Sequence, residues 1–137
     1  MDTAVRALVW QRAESCCEYC GLRQSDTPFR TFHIDHIIPR VDGGTTTKEN
    51  LALACVSCSL RKGARRIAID PESRRMVALY NPRRHGWQEH FRWEGVQLLG
   101  RTATGRATVE ALTLNRLLIV AIRQQLTELG RHPPTQE

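Results

Sequence analysis

Cys17-Glu-Tyr-Cys20 and Cys55-Val-Ser-Cys58 are two Cys-x-x-Cys knuckles separated by 34 residues. Each such turn presents two thiolates side by side, and two turns supply the four soft ligands that tetrahedral zinc takes. The gap exceeds the roughly 15–20 residues of a simple zinc ribbon, so something is inserted between the knuckles. A redox dithiol accounts for one pair and leaves the other unexplained. Four thiolates leave zinc no open coordination position, so the expected Zn2+ is structural. Catalysis, if present, has to come from the loop that the knuckles close. Cys16 is left over, expected as a buried small hydrophobe or a spare thiol.

That loop holds Asp35-His36-Ile37-Ile38-Pro39, then Gly43-Gly44, then Asn50-Leu51-Ala52-Leu53 running into Cys55; Ser59-Leu-Arg-Lys62-Gly63 follows the second knuckle. In order and spacing these residues resemble the HNH nuclease family over about residues 17–63. Further along, Asp70-Pro71, Asn81-Pro82-Arg83, Trp87, His90-Phe91 and Gly105-Arg106-Ala107-Thr108 look like a subgroup of small bacterial HNH proteins. The resemblance implies a ββα-metal module with His36 as general base and Asp35 as ligand of a catalytic divalent cation, Mg2+ or another. It also implies Asn50 as the residue that holds the catalytic loop through its side-chain amide. The chemistry suits these types: imidazole titrates near neutral pH and can take a proton from water. A carboxylate is the hard oxygen donor that Mg2+ prefers. Ser59 stands where the family places Asn or His as a metal ligand, so it is expected to hold the cation directly or through a water. Arg61 and Lys62 are candidates for phosphate binding.

Plainer readings stand beside these. His36 taken alone fits a core histidine, and Asp35 a residue that orients a neighbour. Lys62 fits a plain surface charge, and His33, on the Asp35 face of its strand by period-two alternation, an exposed strand histidine. His90 with Trp87, Phe91 and Trp93 reads as packing. The alternative from another class is a non-catalytic zinc-knuckle nucleic-acid-binding protein with a degenerate HNH site, which Ser59 favours and the Asp35-His36 pair opposes.

The 137 residues carry 20 basic and 14 acidic side chains, and the excess is concentrated. Residues 1–60 are net −1, residues 61–101 net +6 and residues 102–137 net +1. Such a concentration suits a polyanion, and Arg65, Arg66, Arg83 and Arg84 join Arg61 and Lys62 as expected nucleic-acid contacts, with double-stranded DNA the expected partner. A hydrophobic content of 41% argues against a disordered chain. No apolar run approaches the roughly 20 residues of a membrane span, and no small-molecule cofactor is expected. The opening MDTAVRALVWQRAES is broken by charge and reads as no export signal, so a cytoplasmic, reducing location is expected.

These residues have to be positioned by a small α+β fold. A helix is expected over residues 3–14, a strand over 31–38 ended by Pro39, one helical turn within 45–53, and a helix over 55–64 stopped near Gly63. Residues 67–70 and 75–80 flank a turn; residues 91–93 and 96–99 form a hairpin about Glu94-Gly95. Thr102 or Thr104 caps a helix running to about Leu112, and Asn115 caps another to Leu129 with Gly130 as its stop. The expected division is residues 1–66, a helix plus the HNH module, and residues 67–137, a basic hairpin and helical extension packed on it.

Overall fold

The structure, a computed structural model, describes residues 1–134 and divides into two compact units, residues 1–66 with 81–84 and residues 67–80 with 85 onward. The fold class is α+β: helices alternate with three separate two-stranded antiparallel sheets. No helix among the described residues is long and apolar enough to cross a membrane.

In the first unit, helix α1 (Thr3–Arg12) starts on Asp2, whose carboxylate accepts the Ala4 N–H at 2.7 Å. Val9 buries its inner face, and Trp10 lies 6.1 Å from the Phe32 ring. Strand β1 (Phe32–His36) pairs with β2 (Leu51–Cys55), setting Phe32 opposite Cys55 and His36 opposite Leu51. Helix α2 (Val56–Lys62) follows at once, with the Cys55 Sγ accepting the Cys58 N–H at its first turn. This is a β-loop-β-α hairpin.

The ββα resemblance implies a second strand, but residues 51–55 do not read as one from their own pattern. Leu-Ala-Leu-Ala-Cys lacks the polar alternation of a half-buried strand, because all five residues are fully enclosed. Burying Leu51 and Leu53 contributes about 1.5–3 kcal/mol each. A two-stranded sheet leaves its outer edge unpaired, and here side chains close it. Glu18 donates its N–H to the Leu53 carbonyl and accepts the Leu53 N–H on Oε2, both at 2.8 Å; Arg12 donates to the Leu51 carbonyl at 2.6 Å. Arg83 forms an ion pair with the other oxygen of Glu18, which ties residues 81–84 into this unit.

The second unit opens with a hairpin of β3 (Ile67–Ile69) and β4 (Met76–Ala78). Helix α3 (Trp87–His90), too short to show a periodicity, leads into the hairpin of β5 (Phe91–Glu94) and β6 (Gln97–Gly100). Helix α4 (Ala103–Ala111) is capped by Thr102, whose hydroxyl accepts the Gly105 N–H at 3.0 Å. A Cβ on Gly105 would stand 2.0 Å from the His90 carbonyl oxygen, so only glycine lets α4 approach so closely. Helix α5 (Leu117–Glu128) follows. The expected Asn115 cap is corrected here: α5 starts after Arg116, while the Asn115 amide bridges the Leu98 N–H and carbonyl and accepts from Arg123. A tertiary partner outbids the local cap. Trp87, His90, Phe91 and Trp93 pack as expected, with Tyr80 added.

Asp70, fully enclosed, receives two 2.9 Å hydrogen bonds from the Arg106 guanidinium and further ones from the Glu72 and Ser73 amides. Arg106 holds the carboxyl well below the ordinary carboxylate range, against the opposing effect of burial. The stability it contributes is therefore complete above its unfolded pKa of about 4 and is lost as pH falls toward the depressed folded value. In denaturant unfolding, Asp70→Asn should be clearly less stable than the parent near pH 7, and the gap should close progressively below about pH 4. An equal gap at pH 7 and pH 3 would remove the ion pair as its source.

Candidate active site and metal centre

Cys17 and Cys20 come from the turn after α1, Cys55 from the end of β2 and Cys58 from the first turn of α2. Their four Sγ atoms lie within 4.8 Å of one another, and all four residues are buried. Tetrahedral zinc-thiolate bonds of about 2.3 Å put sulfurs about 3.8 Å apart, so the cluster has the dimensions of a metal site. Burial pushes the Cys17 thiol well up, while hydrogen bonds from Cys17, Cys20 and Cys58 pull Cys55 far down, with the Arg30 guanidinium 3.7 Å from its sulfur. One sulfur at a time is readily ionised in such a nest; a cation is what allows all four. Cys16 stays outside, half-buried, in an isolated bridge with Arg23.

The turn that follows β1 lies at the other end of the hairpin from Cys55, beyond the His36–Leu51 pair. Asn50, buried at the start of β2, accepts the Ile38 N–H at 2.9 Å and donates to the carbonyls of Ile38 (3.0 Å) and Thr45 (2.9 Å). Three hydrogen bonds from one side chain thus fix both limbs of the loop. Asp35 and His36, adjacent on β1, point to opposite faces. The Asp35 carboxylate faces α2: Ser59 Oγ lies 3.5 Å from Oδ1, and Oδ2 receives the Lys62 ammonium at 3.0 Å and the Tyr19 hydroxyl at 3.4 Å. Lys62 also donates to the His36 carbonyl at 3.2 Å. The His36 ring is half-buried, its Nε2 2.9 Å from the Thr46 hydroxyl.

Asp35, His36, Asn50 and Ser59 are thus gathered on one β-loop-β-α element. Lys62, 2% exposed, is turned inward onto Asp35. Arg61, Arg65 and Arg66 are exposed at and beyond the end of α2; Arg84 is exposed, and Arg83 is half-buried on Glu18. His33 is exposed. Tyr19 and Thr46 were missed. Tyr19 lies inside the first knuckle, where the zinc pattern masks it, and Thr46 sits in a run of threonines with no distinguishing signal.

The HNH endonuclease family model matches residues 17–65, from the first knuckle to just past α2. Residues 17–65 are thus similar to the HNH endonuclease family. A stretch aligned over 70 positions is 40% identical to the CRISPR-associated endonuclease Cas9 of Corynebacterium diphtheriae, covering 47% of this chain and 6% of that protein. The chain therefore spans a small fraction of that relative's length. No solved structure matches. The family match and the four-cysteine cluster, which could hold a metal ion, both fall in the first unit.

Gly44 sets how tightly the module's loop closes. A Cβ there would stand 1.7 Å from the Ile38 oxygen and 2.9 Å from Asn50 Nδ2, whereas Gly43, at φ +85°, has open space around it. Gly44→Ala should break the Asn50 clamp and cost about 2–3 kcal/mol, with amide exchange at Ile38 accelerated. Gly43→Ala should cost only about 1–2 kcal/mol, through its left-handed backbone, and leave Ile38 protected. Denaturant titration with residue-resolved hydrogen exchange checks both, and equal effects at the two glycines would count against the clamp.

Proposed function

We propose that this protein is a metal-dependent endonuclease that hydrolyses phosphodiester bonds in DNA, with His36 as general base. The observation that supports it most is that Asp35, His36, Asn50 and Ser59 all lie on one β-loop-β-α element within the stretch that matches the HNH family, with Ser59 beside Asp35 and Asn50 clamping the loop after His36. Structural Zn2+ is held by Cys17, Cys20, Cys55 and Cys58, whose soft donors and spacing suit it. Asp35 and Ser59 offer the hard oxygen donors for a divalent cation, Mg2+ in the first instance; few protein ligands suffice, because Mg2+ keeps several of its waters. Bound there, the cation supplies charge neutralisation at the phosphate and the leaving oxygen.

The chain's own residues do the rest. With the Thr46 hydroxyl accepting from Nε2–H, the His36 Nδ1 keeps its lone pair and takes the proton of the attacking water. Asn50 holds the loop that carries the base. Lys62 holds the Asp35 carboxylate in an ion pair and anchors the His36 backbone, a positioning role. Arg61, Arg65, Arg66, Arg83 and Arg84 attract the substrate backbone, in keeping with the basic residues 61–101.

A second reading draws on Lys62. Its ammonium already satisfies Asp35, and Ser59 is a shorter, neutral ligand than Asn or His, as in a non-catalytic nucleic-acid-binding module. Cleavage of supercoiled plasmid separates the two. Wild-type protein with Mg2+ or Mn2+ should nick or cut, chelator should abolish it, and His36→Ala should stay folded, bind DNA and cleave about 10²–10⁴-fold more slowly. Thr46→Val should lower kcat severalfold with KM little changed. Wild-type-like cleavage by His36→Ala would refute the base assignment, and an inactive wild type that binds DNA would favour the second reading.

The zinc proposal has its own measurement. As-purified protein should contain one Zn2+ per chain, and Cys55→Ser or strong chelation should unfold the first unit, since structural zinc contributes about 10–16 kcal/mol of apparent binding energy in small domains. Folded protein free of zinc by elemental analysis would overturn it.

A further inference from the structure

Away from the Asp35-His36 pair, the first unit carries a cavity of about 540 Å3 lined by Leu8 and Arg12 of α1, Lys48 and Glu49 at the start of the turn into β2, and Arg83 and Arg84. Four of its six lining residues are cations, and Glu49 is the one acid among them. Arg83 is partly compensated by Glu18; among the described residues, Arg12, Lys48 and Arg84 form no ion pair. The Nε atoms of Arg12 and Arg83 are buried without a hydrogen-bond partner. Burial first, and then repulsion from Arg83, pulls the Arg12 guanidinium below its ordinary pKa. Like charges are thus gathered at a cost that an anion would relieve.

The lining also says what kind of anion fits. It offers charge and one aliphatic side chain but no aromatic face on which a base could stack, so a ligand here is gripped by its phosphate and not by its base. Its position points the same way. Arg12 donates to the carbonyl of Leu51, and Leu51 is the strand partner of His36, so Arg12 and His36 flank β2 from opposite edges. At a strand spacing of about 4.8 Å, the anchored guanidinium lies about 10 Å from the His36 backbone. We propose that the cavity lined by Arg12, Lys48, Arg83 and Arg84 seats a backbone phosphate of the nucleic acid bound by the HNH module, close to the phosphodiester at His36. This rests on the nucleic-acid reading above and assigns Arg12 and Lys48 a role that net charge alone does not reveal.

The test reverses the two exposed cations together, Lys48→Glu with Arg84→Glu, in the full chain, and sets it against Arg6→Glu with Arg92→Glu, an equal charge change outside the cavity. Binding of a short labelled DNA duplex is followed by anisotropy over a salt series in chelator, so that no cleavage is needed. The cavity variant should bind at least about tenfold more weakly and lose about one unit of salt slope, at about 0.9 per phosphate contact, while the control keeps its slope within about half a unit. Equal losses in both variants overturn the proposal. So does a mononucleotide or inorganic phosphate that occupies the cavity while duplex binding ignores the reversal, since the site would then serve a free phosphate. If the wild type binds with the expected slope and loses it in the cavity variant, yet cleaves nothing, the phosphate seat stands and the nuclease reading falls.

Discussion

Everything in the first unit hangs on four sulfur atoms brought within 4.8 Å. They join the turn after α1, the end of β2 and the start of α2, three places that a two-stranded sheet could not otherwise hold together. The buried area is small, and an isolated hairpin is marginal in water. A metal ion bound by the four sulfurs would cross-link three segments through one centre and remove freedom that so small a core cannot offset. The price is that four buried thiols must share protons until a cation relieves them. A metal held there would make its affinity and the folding of this unit one quantity.

The second constraint is electrostatic and lies one layer out. Asp35 is 10% exposed, and a carboxylate so enclosed needs partners; it has Lys62, Tyr19 and Ser59. Burial and the charge of Asp35 push the Tyr19 phenol well up, so it stays a donor. Lys62 is the more telling partner. Its ammonium bonds Asp35 and the His36 carbonyl together, so one buried cation fixes both the carboxylate and the strand end that carries the imidazole. A charge that the sequence places among the basic residues after the second knuckle is thus withdrawn from the surface, and the electropositive face is left to the arginines around it.

How much of this was legible beforehand follows from which interactions are local. Knuckle spacing is local, and the four cysteines could be grouped from it. The order of Asp35-His36, Gly43-Gly44 and Asn50 carried the family resemblance, and the family match over residues 17–65 supports it. Hairpin turns and the Thr102 cap were readable because their chemistry lies within a few residues. Three things were not. Strand β2 is enclosed on every side and so carries no alternation. Asn115 looks like a cap until Leu98 and Arg123, far along the chain, claim its amide. The inward turn of Lys62 depends on Asp35 being 27 positions earlier, and residue type alone suggests the opposite, an exposed phosphate contact.

The edge of β2 shows how these levels meet. A strand with one partner leaves alternate amides and carbonyls unsatisfied, and in a buried position each costs about 1–3 kcal/mol. Glu18 and Arg12 close that edge. Both are charged, so the solution of a backbone problem introduces electrostatics: Glu18 recruits Arg83, and Arg12 is left beside Arg83 with like charge. A neutral pair, such as two amides, would satisfy the same backbone groups without creating that field. The choice of charged side chains to cap a buried strand therefore concentrates positive potential on the edge of β2 opposite β1, one strand-width from the residue paired with His36. The same hydrogen bonds that let a two-stranded sheet survive in so small a core also set the charge that a polyanion meets on reaching it.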